Sequence, residues 1–246
     1  MNRLYGKSEI WFSMVWIILY CVLASIGDAA SSVIGVAKIA TFPILLALSI
    51  AIYSFVKRHD LKGRYGLKKP EIKASKMLFY LPLAALTLVN LWAGFAISYT
   101  PLEAVLYVLS MLCVGFIEEM IFRGFLFEAI ALDGIKPAIV ISSITFGLGH
   151  IINLLTNTYV KLIPNLLQVT YAIAIGFVFV IVYYKTKSIW PCIITHGVFN
   201  SLSVFGGDIV IPPVRRLLDC MYLVVIAIGY TWYICRVTRE KVDIEE

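Results

Sequence analysis

The chain has 246 residues, of which 61% are hydrophobic and 15% are charged, and its mean hydropathy is +0.89. Soluble globular proteins are usually about 45 to 50% apolar, so this composition excludes a soluble fold whose surface is covered by polar residues. The formal net charge of +6 does not indicate nucleic-acid binding, because the basic residues gather in loops between apolar runs and form no aromatic-basic face.

Apolar runs long enough to cross a bilayer follow one another along almost the whole sequence. A spanning helix needs about 20 apolar residues, and only short polar breaks separate the runs. We predict an all-α fold, a polytopic transmembrane bundle of about eight spanning helices that forms a single membrane domain over 1–246. The predicted spans are 10–27, 33–56, 77–98, 103–131, 137–153, 163–184, 189–205 and 214–235.

One strongly basic loop predicts the orientation of the bundle. Lysine and arginine are concentrated within 57–76, and the positive-inside rule places such a loop in the cytoplasm. Strict alternation of spans then puts both termini, the turn at 185–187 and the tail at 236–241 on the same side. Arg215 and Arg216 fall on the outer side and count against this scheme. We predict a multi-pass protein of the plasma membrane with cytoplasmic N- and C-termini.

The predicted fourth span carries three charged residues near its middle, Glu118, Glu119 and Arg123. An ionised side chain at the bilayer centre costs at least about 2.5 to 3.5 kcal/mol, so each needs a reason. Arg123 lies one helical turn after Glu119, where the two side chains meet. A self-neutralising ion pair would therefore explain Glu119 and Arg123, but it leaves Glu118, about 100 degrees around the helix, without a local partner.

Two histidines and an asparagine lie in later apolar spans. His150 ends the run Phe-Gly-Leu-Gly-His, and His196 and Asn200 lie one turn apart on one face of another helix. Gly197 and the two glycines before His150 are predicted to allow close helix packing. Either histidine alone would be interpreted as a hydrogen-bonded core residue, but so many polar groups on three helices avoid their insertion cost only by converging. Four other polar residues in or near spans lack such motifs and are predicted to be structural: Lys38, Asn90, Glu103 and Glu128.

These residues resemble the motifs of the CPBP family, the intramembrane peptidases that include the CAAX prenyl endopeptidases and the bacterial Abi proteins. The family pattern is Glu-Glu-x-x-x-Arg, then Phe-x-x-x-His, then His-x-x-x-Asn, Asp or Ser. Every position matches, in order and within apolar helices: Glu118, Glu119, Arg123, Phe146, His150, His196 and Asn200. The resemblance covers about 102–204, which we interpret as the catalytic core within the membrane domain.

Amide hydrolysis needs an activated water, a group that stabilises the oxyanion and a proton for the leaving amine. We predict Glu118 as the general base, because a carboxylate in an apolar cavity is suited to proton transfer near neutrality. The resemblance agrees, and His150 would hold or deprotonate the same water. His196 and Asn200 would donate hydrogen bonds to the oxyanion. Glu119, in its ion pair with the arginine, would orient the site and balance its charge.

A metal-dependent version of the site is equally compatible with the residue types. Glu118, His150 and His196 would then ligate a divalent metal such as zinc, with water as the remaining ligand. Two histidines and one carboxylate form a known catalytic zinc composition, although no His-Glu-x-x-His motif is present. The sequence leaves both versions open.

The predicted function is an intramembrane endopeptidase that cuts near the membrane surface. Its partners would be membrane lipid and a peptide or membrane-associated protein substrate, prenylated or not, without nucleic acid. A non-catalytic membrane scaffold or bacteriocin-immunity-type protein is the alternative from another class. A proton-coupled transporter is a further one, since glutamate and histidine within spans also mark proton paths, but the chain lacks the inverted repeats common in carriers.

Overall fold

The computed structural model describes residues 2–92, 94–156, 160–206 and 211–238. Over these ranges the fold is all-helical, as predicted, and its one isolated β-bridge joins Ala96 and Gly206. The end of the predicted basic tail, from 239 onward, lies outside the described residues. In chain order the α-helices are α1 (Asn2–Tyr5), α2 (Glu9–Ile34), α3 (Thr41–Arg58), α4 (Leu81–Leu88), α5 (Pro101–Glu119), α6 (Phe127–Ala131), α7 (Ile135–Leu148), α8 (Asn153–Thr156), α9 (Leu162–Thr186), α10 (Trp190–Leu202) and α11 (Pro213–Val237).

Seven helical stretches among the described residues are long and apolar enough to cross a membrane. They are Glu9–Ile34, Thr41–Arg58, Ala74–Leu91, Pro101–Ala131, Ile135–Leu155, Leu162–Thr186 and Pro213–Val237. The predicted span at 189–205 corresponds to α10, which has only 13 residues. At 1.5 Å per residue α10 is about 20 Å long, short of the roughly 30 Å hydrocarbon core. The prediction of about eight spans is thus confirmed to within one, because α10 alone is too short to count as a span.

The first spanning helix is longer than the predicted span 10–27. It continues to Ile34 and stops where Gly35 adopts the left-handed conformation with φ +79°, which glycine reaches without a Cβ clash. The additional turns carry Asp28, whose carboxylate accepts hydrogen bonds from Lys38 Nζ (2.7 Å) and Thr41 Oγ1 (2.6 Å). These partners stabilise the carboxylate of Asp28 within the helix, whereas the hydrophobic pattern predicted that the span ends before this residue.

Glycines bring the helices of the bundle into close contact. A Cβ at Gly115 would lie 2.6 Å from the backbone nitrogen of Gly197, so α5 and α10 touch through their main chains. A Cβ at Gly147 would lie 2.7 Å from the backbone nitrogen of Ile173, which joins α7 to α9 in the same way. Small residues at such crossings are the usual means of packing membrane helices. The close packing predicted at Gly197 and Gly147 is confirmed, whereas the prediction for Gly149 is wrong, since a Cβ there meets open space.

One end of the bundle gathers the N-terminus and the polar loop at 59–73, and we call it the basic end. Arg64 Nη2 lies 2.7 Å from Glu9 Oε2, which joins this loop to the start of α2. The amide of Ile189 donates to the carbonyl of Gly66 at 2.9 Å, so the turn after α9 lies at the same end. The other end of each spanning helix lies at what we call the opposite end.

The four polar residues predicted to be structural all have hydrogen-bond partners. Such partners satisfy polar groups that would otherwise be costly within a membrane. The pairs are Lys38 with Asp28, Asn90 with the carbonyl of Phe199, Glu103 with Thr100 in the N-terminal cap of α5, and Glu128 with the hydroxyl of Tyr183.

Candidate active site

A cavity of about 950 Å³ lies between α2, α5 and the end of α7. Helix α2 lines it with residues three and four positions apart, which is the spacing of one helix face. These include Tyr20, Ala24, Ser25, Asp28 and Ser32. The other walls carry Glu118 and Phe122 on one side and Phe146 and His150 on the other. Two of the predicted site residues, Glu118 and His150, therefore face one cavity from different helices.

Glu118 is one of two carboxylates that line this cavity, with Asp28, and its side chain is 12% exposed. Its Oε1 accepts a hydrogen bond of 2.6 Å from the hydroxyl of Tyr20 on α2. Adjacent residues of a helix point about 100 degrees apart, so Glu118 faces the cavity while Glu119 faces α10. This bond to Tyr20 is the partner that the sequence did not reveal for Glu118.

Glu119 is the centre of a fully buried charged cluster. Its Oε1 accepts a hydrogen bond of 3.0 Å from Arg123 Nη1, and both side chains are 0% exposed. The guanidinium group lies 4.2 Å from the ring centre of Phe146 and 5.4 Å from that of Phe179. Arginine stacks well on aromatic faces, and such contacts gain strength when desolvated. The predicted ion pair is present, and it is held between two aromatic rings.

The helix changes its winding directly after the two glutamates. Residues Met120–Leu126 form a π-helix between α5 and α6, an uncommon form that is frequent at functional sites. Ser142 Oγ on α7 donates a 2.8 Å hydrogen bond to the carbonyl of Phe122 within this segment. This hydrogen bond links α7 to the π-helix close to the contact between Phe146 and Arg123. The sequence pattern predicted a continuous α-helix here and did not signal the wider winding.

His196 joins the two glutamates. Its Nδ1 lies 2.8 Å from Glu119 Oε1, and because an ionised carboxylate only accepts hydrogen bonds, Nδ1 carries the proton and donates. The other ring nitrogen, Nε2, lies 3.7 Å from Glu118 Oε2. A single water molecule at hydrogen-bond distance from both atoms fits this separation. The side chain is buried, and its ring lies between those of Phe146 and Phe179.

His150 follows α7 in a short 3-10 turn, Gly149–Ile152. Its Nδ1 lies 3.4 Å from Gln168 Nε2, and Gln168 Oε1 accepts a hydrogen bond of 3.3 Å from Asn153. The Asn153 bond fixes the orientation of the Gln168 amide, so Gln168 donates and His150 Nδ1 accepts. The proton of the neutral ring is therefore on Nε2. His150 thus offers an N–H donor, whereas neutral His196 offers an unprotonated Nε2.

Asn200 does not join this arrangement. It lies one turn after His196 on α10, as predicted, but it is absent from the lining of the cavity. Within the described ranges its side chain makes no hydrogen bond, and its backbone carbonyl accepts from Ser203 Oγ at 2.6 Å. The structure thus brings together Glu118, Glu119, Arg123, His150 and His196, and the role predicted for Asn200 stays a prediction.

The comparisons with known proteins identify a family over the middle of the chain. Residues 100–202 match the model of the Rce1-like type II CAAX prenyl endopeptidases. This segment is therefore similar to the Rce1-like family, and the match covers less than half of the chain. No curated protein and no solved structure matches the chain. The Rce1-like segment begins and ends within two residues of the predicted core at 102–204, and it confirms the resemblance to the CPBP family.

The Rce1-like segment lacks one wall of the cavity. Helix α2 lies outside the matched residues, yet it supplies Tyr20 to Glu118 and the polar residues Ser25, Asp28 and Ser32 to the lining. Their recurrence three and four residues apart was a signal of a polar helix face. Sequence reasoning missed it because the predicted span ended at residue 27, before the last two of these positions.

The predicted metal ligands of the Rce1-like site are not arranged for ligation. In the part of the chain that the structure describes, no group of three His, Cys, Asp or Glu side chains is placed to hold a metal ion. His196 Nδ1 is bonded to Glu119 and His150 Nδ1 to Gln168, which leaves the Nε2 atom of each histidine as its possible ligand atom. The residue types match a two-histidine, one-carboxylate composition, but the three side chains do not form one such cluster in the described residues, so we derive no catalytic step through a metal. The zinc alternative stays a prediction.

Proposed function

We propose that this Rce1-like protein is an intramembrane endopeptidase in which Glu118 activates water for attack on a peptide bond. The observation that carries the proposal is the pairing of Glu118 Oε2 with His196 Nε2 at 3.7 Å, beside a cavity of about 950 Å³. A structural ion pair would not need an uncommitted carboxylate oxygen directed at an uncommitted imidazole nitrogen. A pocket of this volume is in the range that holds a small-molecule ligand or a short peptide segment.

Water activation begins with one molecule held between Glu118 Oε2 and His196 Nε2, to which it donates its two hydrogens. Glu118 Oε1 is occupied by the Tyr20 hydroxyl, so Oε2 is the oxygen free to take the proton. The buried Glu119 and Arg123 pair fixes the imidazole through Nδ1. Groups held in place before the reaction lower its barrier because they need no reorganisation at the transition state.

Bond cleavage then follows in two steps. The water oxygen attacks the carbonyl carbon of the substrate while its proton passes to Glu118 Oε2, and the carbonyl oxygen becomes an oxyanion. The Nε2–H of His150 is placed to donate to this oxyanion, and the role predicted for Asn200 is the same. When the carbon–nitrogen bond breaks, the proton on Glu118 passes to the leaving amine, so the carboxylate is restored and the products are a carboxylic acid and an amine.

The proposed setting is the plasma membrane, with the N- and C-termini in the cytoplasm. Basic residues at the basic end support this orientation through the positive-inside rule. The proposed substrate is a peptide or a membrane-associated protein, which the family's type of protease implies. Both arguments concern the setting of the site, and the chemistry of Glu118 does not depend on them.

The proposal is tested by comparing the membrane-peptide profiles of cells that carry the intact protein and cells that carry Glu118→Gln. The glutamine keeps the shape and the Tyr20 bond but cannot accept the proton, so at least one peptide is expected to persist uncut. A matched control is Glu128→Gln, which alters a half-buried glutamate that bonds Tyr183 outside the lining of the cavity. Identical profiles for the intact and Glu118→Gln proteins would favour the scaffold alternative.

A further inference from the structure

Positive charge is distributed unequally between the two ends of the bundle. The basic end carries the lysines and arginines at 3–7, 57–76, 136, 185–187 and 236. The opposite end carries, within the described residues, Lys38, Lys161, Arg215 and Arg216. Orientation in the membrane follows the lysines and arginines of short loops, so the basic end faces the cytoplasm.

Two of the cations at the opposite end are neutralised locally. Lys38 Nζ lies 2.7 Å from Asp28 Oδ1, and Arg215 Nε lies 2.8 Å from Asp219 Oδ1. The arginines that the sequence counts against the orientation are therefore weaker objections than their formal charge indicates, because one of them is ion-paired. The asymmetry between the two ends remains large.

The lining of the cavity is buried beside Glu118 and becomes exposed towards the opposite end. Its deep lining residues Phe122 and Phe146 are buried, with exposed fractions of 5% and 4%. Its lining residues nearest the opposite end, Asp28 and Ser32 on α2 and Gly149 after α7, are exposed. Access to Glu118 is therefore from the opposite end, along the last turns of α2.

The basic end of the site is closed by packed aromatic rings. Phe125, just after the cavity residue Phe122, lies 5.1 Å from the ring centres of both Phe12 and Tyr65 and 6.3 Å from Trp16. All four rings are buried. Burial and the bond to Tyr5 raise the pKa of the Tyr65 phenol, which stays protonated. This layer separates Glu118 from the cytoplasmic loops.

We infer that the site receives its substrate from the non-cytoplasmic side of the membrane, as an extended peptide segment that enters between α2 and α7. This inference rests on the proposed function. It names a substrate class, exported peptides or non-cytoplasmic segments of membrane proteins. A cytosolic protein tail does not belong to this class, because the aromatic layer lies between the cytoplasm and Glu118.

The face of α2 that lines the cavity can accommodate the main chain of a peptide. Helix α2 presents small side chains along it, Ala24, Ser25, Ala29 and Ser32, which leave room for a backbone beside the helix. The serine hydroxyls can exchange hydrogen bonds with the amides and carbonyls of an extended segment. These partners replace the water that the peptide loses as it moves towards Glu118.

The inference is tested by thiol labelling of the full-length protein in intact cells with a membrane-impermeant maleimide. Ser25→Cys places the reactive group in the cavity, and Ile26→Cys, 53% exposed at the same depth, places it on the face of α2 turned away from the cavity. Lys69→Cys reports the orientation, since it is exposed at the basic end. All three are built on a background in which Cys21, Cys113 and Cys235 are replaced by alanine.

We expect Ser25→Cys to be labelled at least about tenfold faster than Ile26→Cys, because maleimide needs a hydrated thiolate. Lys69→Cys should be labelled only after the cells are lysed. Labelling of Lys69→Cys in intact cells, or failure of Ser25→Cys to react before lysis, would overturn the inference. Labelling needs no catalysis and should persist with Glu118→Gln, so a failure of the proposed chemistry is distinguishable from a failure of the access route.

Discussion

Removing the hydroxyl group of Tyr20 tests whether a residue outside the Rce1-like segment contributes to catalysis, because this group bonds the proposed base Glu118. Tyr20→Phe deletes one oxygen and keeps the ring that lines the cavity. The deleted group donates a 2.6 Å hydrogen bond to Glu118 Oε1. Without it, Glu118 is free to rotate and Oε1 competes with Oε2 for the attacking water.

The expected loss of kcat follows from the free energy that the deleted hydrogen bond contributes. A hydrogen bond to a charged group contributes about 1.5 to 3 kcal/mol, and each 1.36 kcal/mol in a barrier corresponds to a factor of ten in rate. Tyr20→Phe should therefore lower kcat by about 10- to 100-fold. The KM should change little, since the aromatic wall that the substrate meets is preserved. The assay is steady-state cleavage by the purified protein of a peptide found in the profile comparison.

Tyr230→Phe is the matched control for the loss of a buried tyrosine hydroxyl. Tyr230 is 3% exposed, donates a 2.7 Å hydrogen bond to the carbonyl of Met77, and does not line the cavity. Tyr230→Phe should lower the Tm of the protein without lowering kcat. An unchanged kcat in Tyr20→Phe, or an equal loss in Tyr230→Phe, would refute the positioning role of Tyr20.

The crossing of α5 and α10 and the metal alternative give two further predictions. Gly115→Ala should destabilise the fold by about 1 to 3 kcal/mol, because its Cβ would lie 2.6 Å from the Gly197 nitrogen. The control Gly149→Ala, whose Cβ meets open space, should leave the thermal unfolding temperature unchanged. Equal effects of the two substitutions would contradict the close packing of α5 and α10. Dialysis against a chelator should leave cleavage intact if water is activated by Glu118 alone, and a loss that zinc restores would assign Glu118 and the histidines to a metal instead.

The sequence predicted the charged cluster well because the cost of burying charge in a membrane is so large. Glu119 and Arg123 had to meet at one helical turn, and they do, with His196 as a third member. The convergence of His196 on the glutamates followed from the same argument. The glycine at 197 indicated the close crossing that makes this contact possible.

Other features were beyond the reach of a hydrophobic pattern. The π-helix at Met120–Leu126 accepts a hydrogen bond from Ser142 on another helix, and no local signal in the sequence reports this contact. The extent of α2 was underestimated because Asp28 is balanced by Lys38, a partner ten residues away. The placement of Asn200 depends on how α10 is rotated against its neighbours, which one-turn spacing does not determine.

The most direct test of the account is the cleavage rate of purified Glu118→Gln protein, measured beside Glu128→Gln on the same peptide. Removal of a general base typically costs about 10²- to 10⁴-fold in rate, so Glu118→Gln should be lower by that factor with an unchanged Tm. Glu128→Gln should keep the rate of the intact protein. Cleavage by Glu118→Gln at the intact rate would contradict the claim that this carboxylate activates the water.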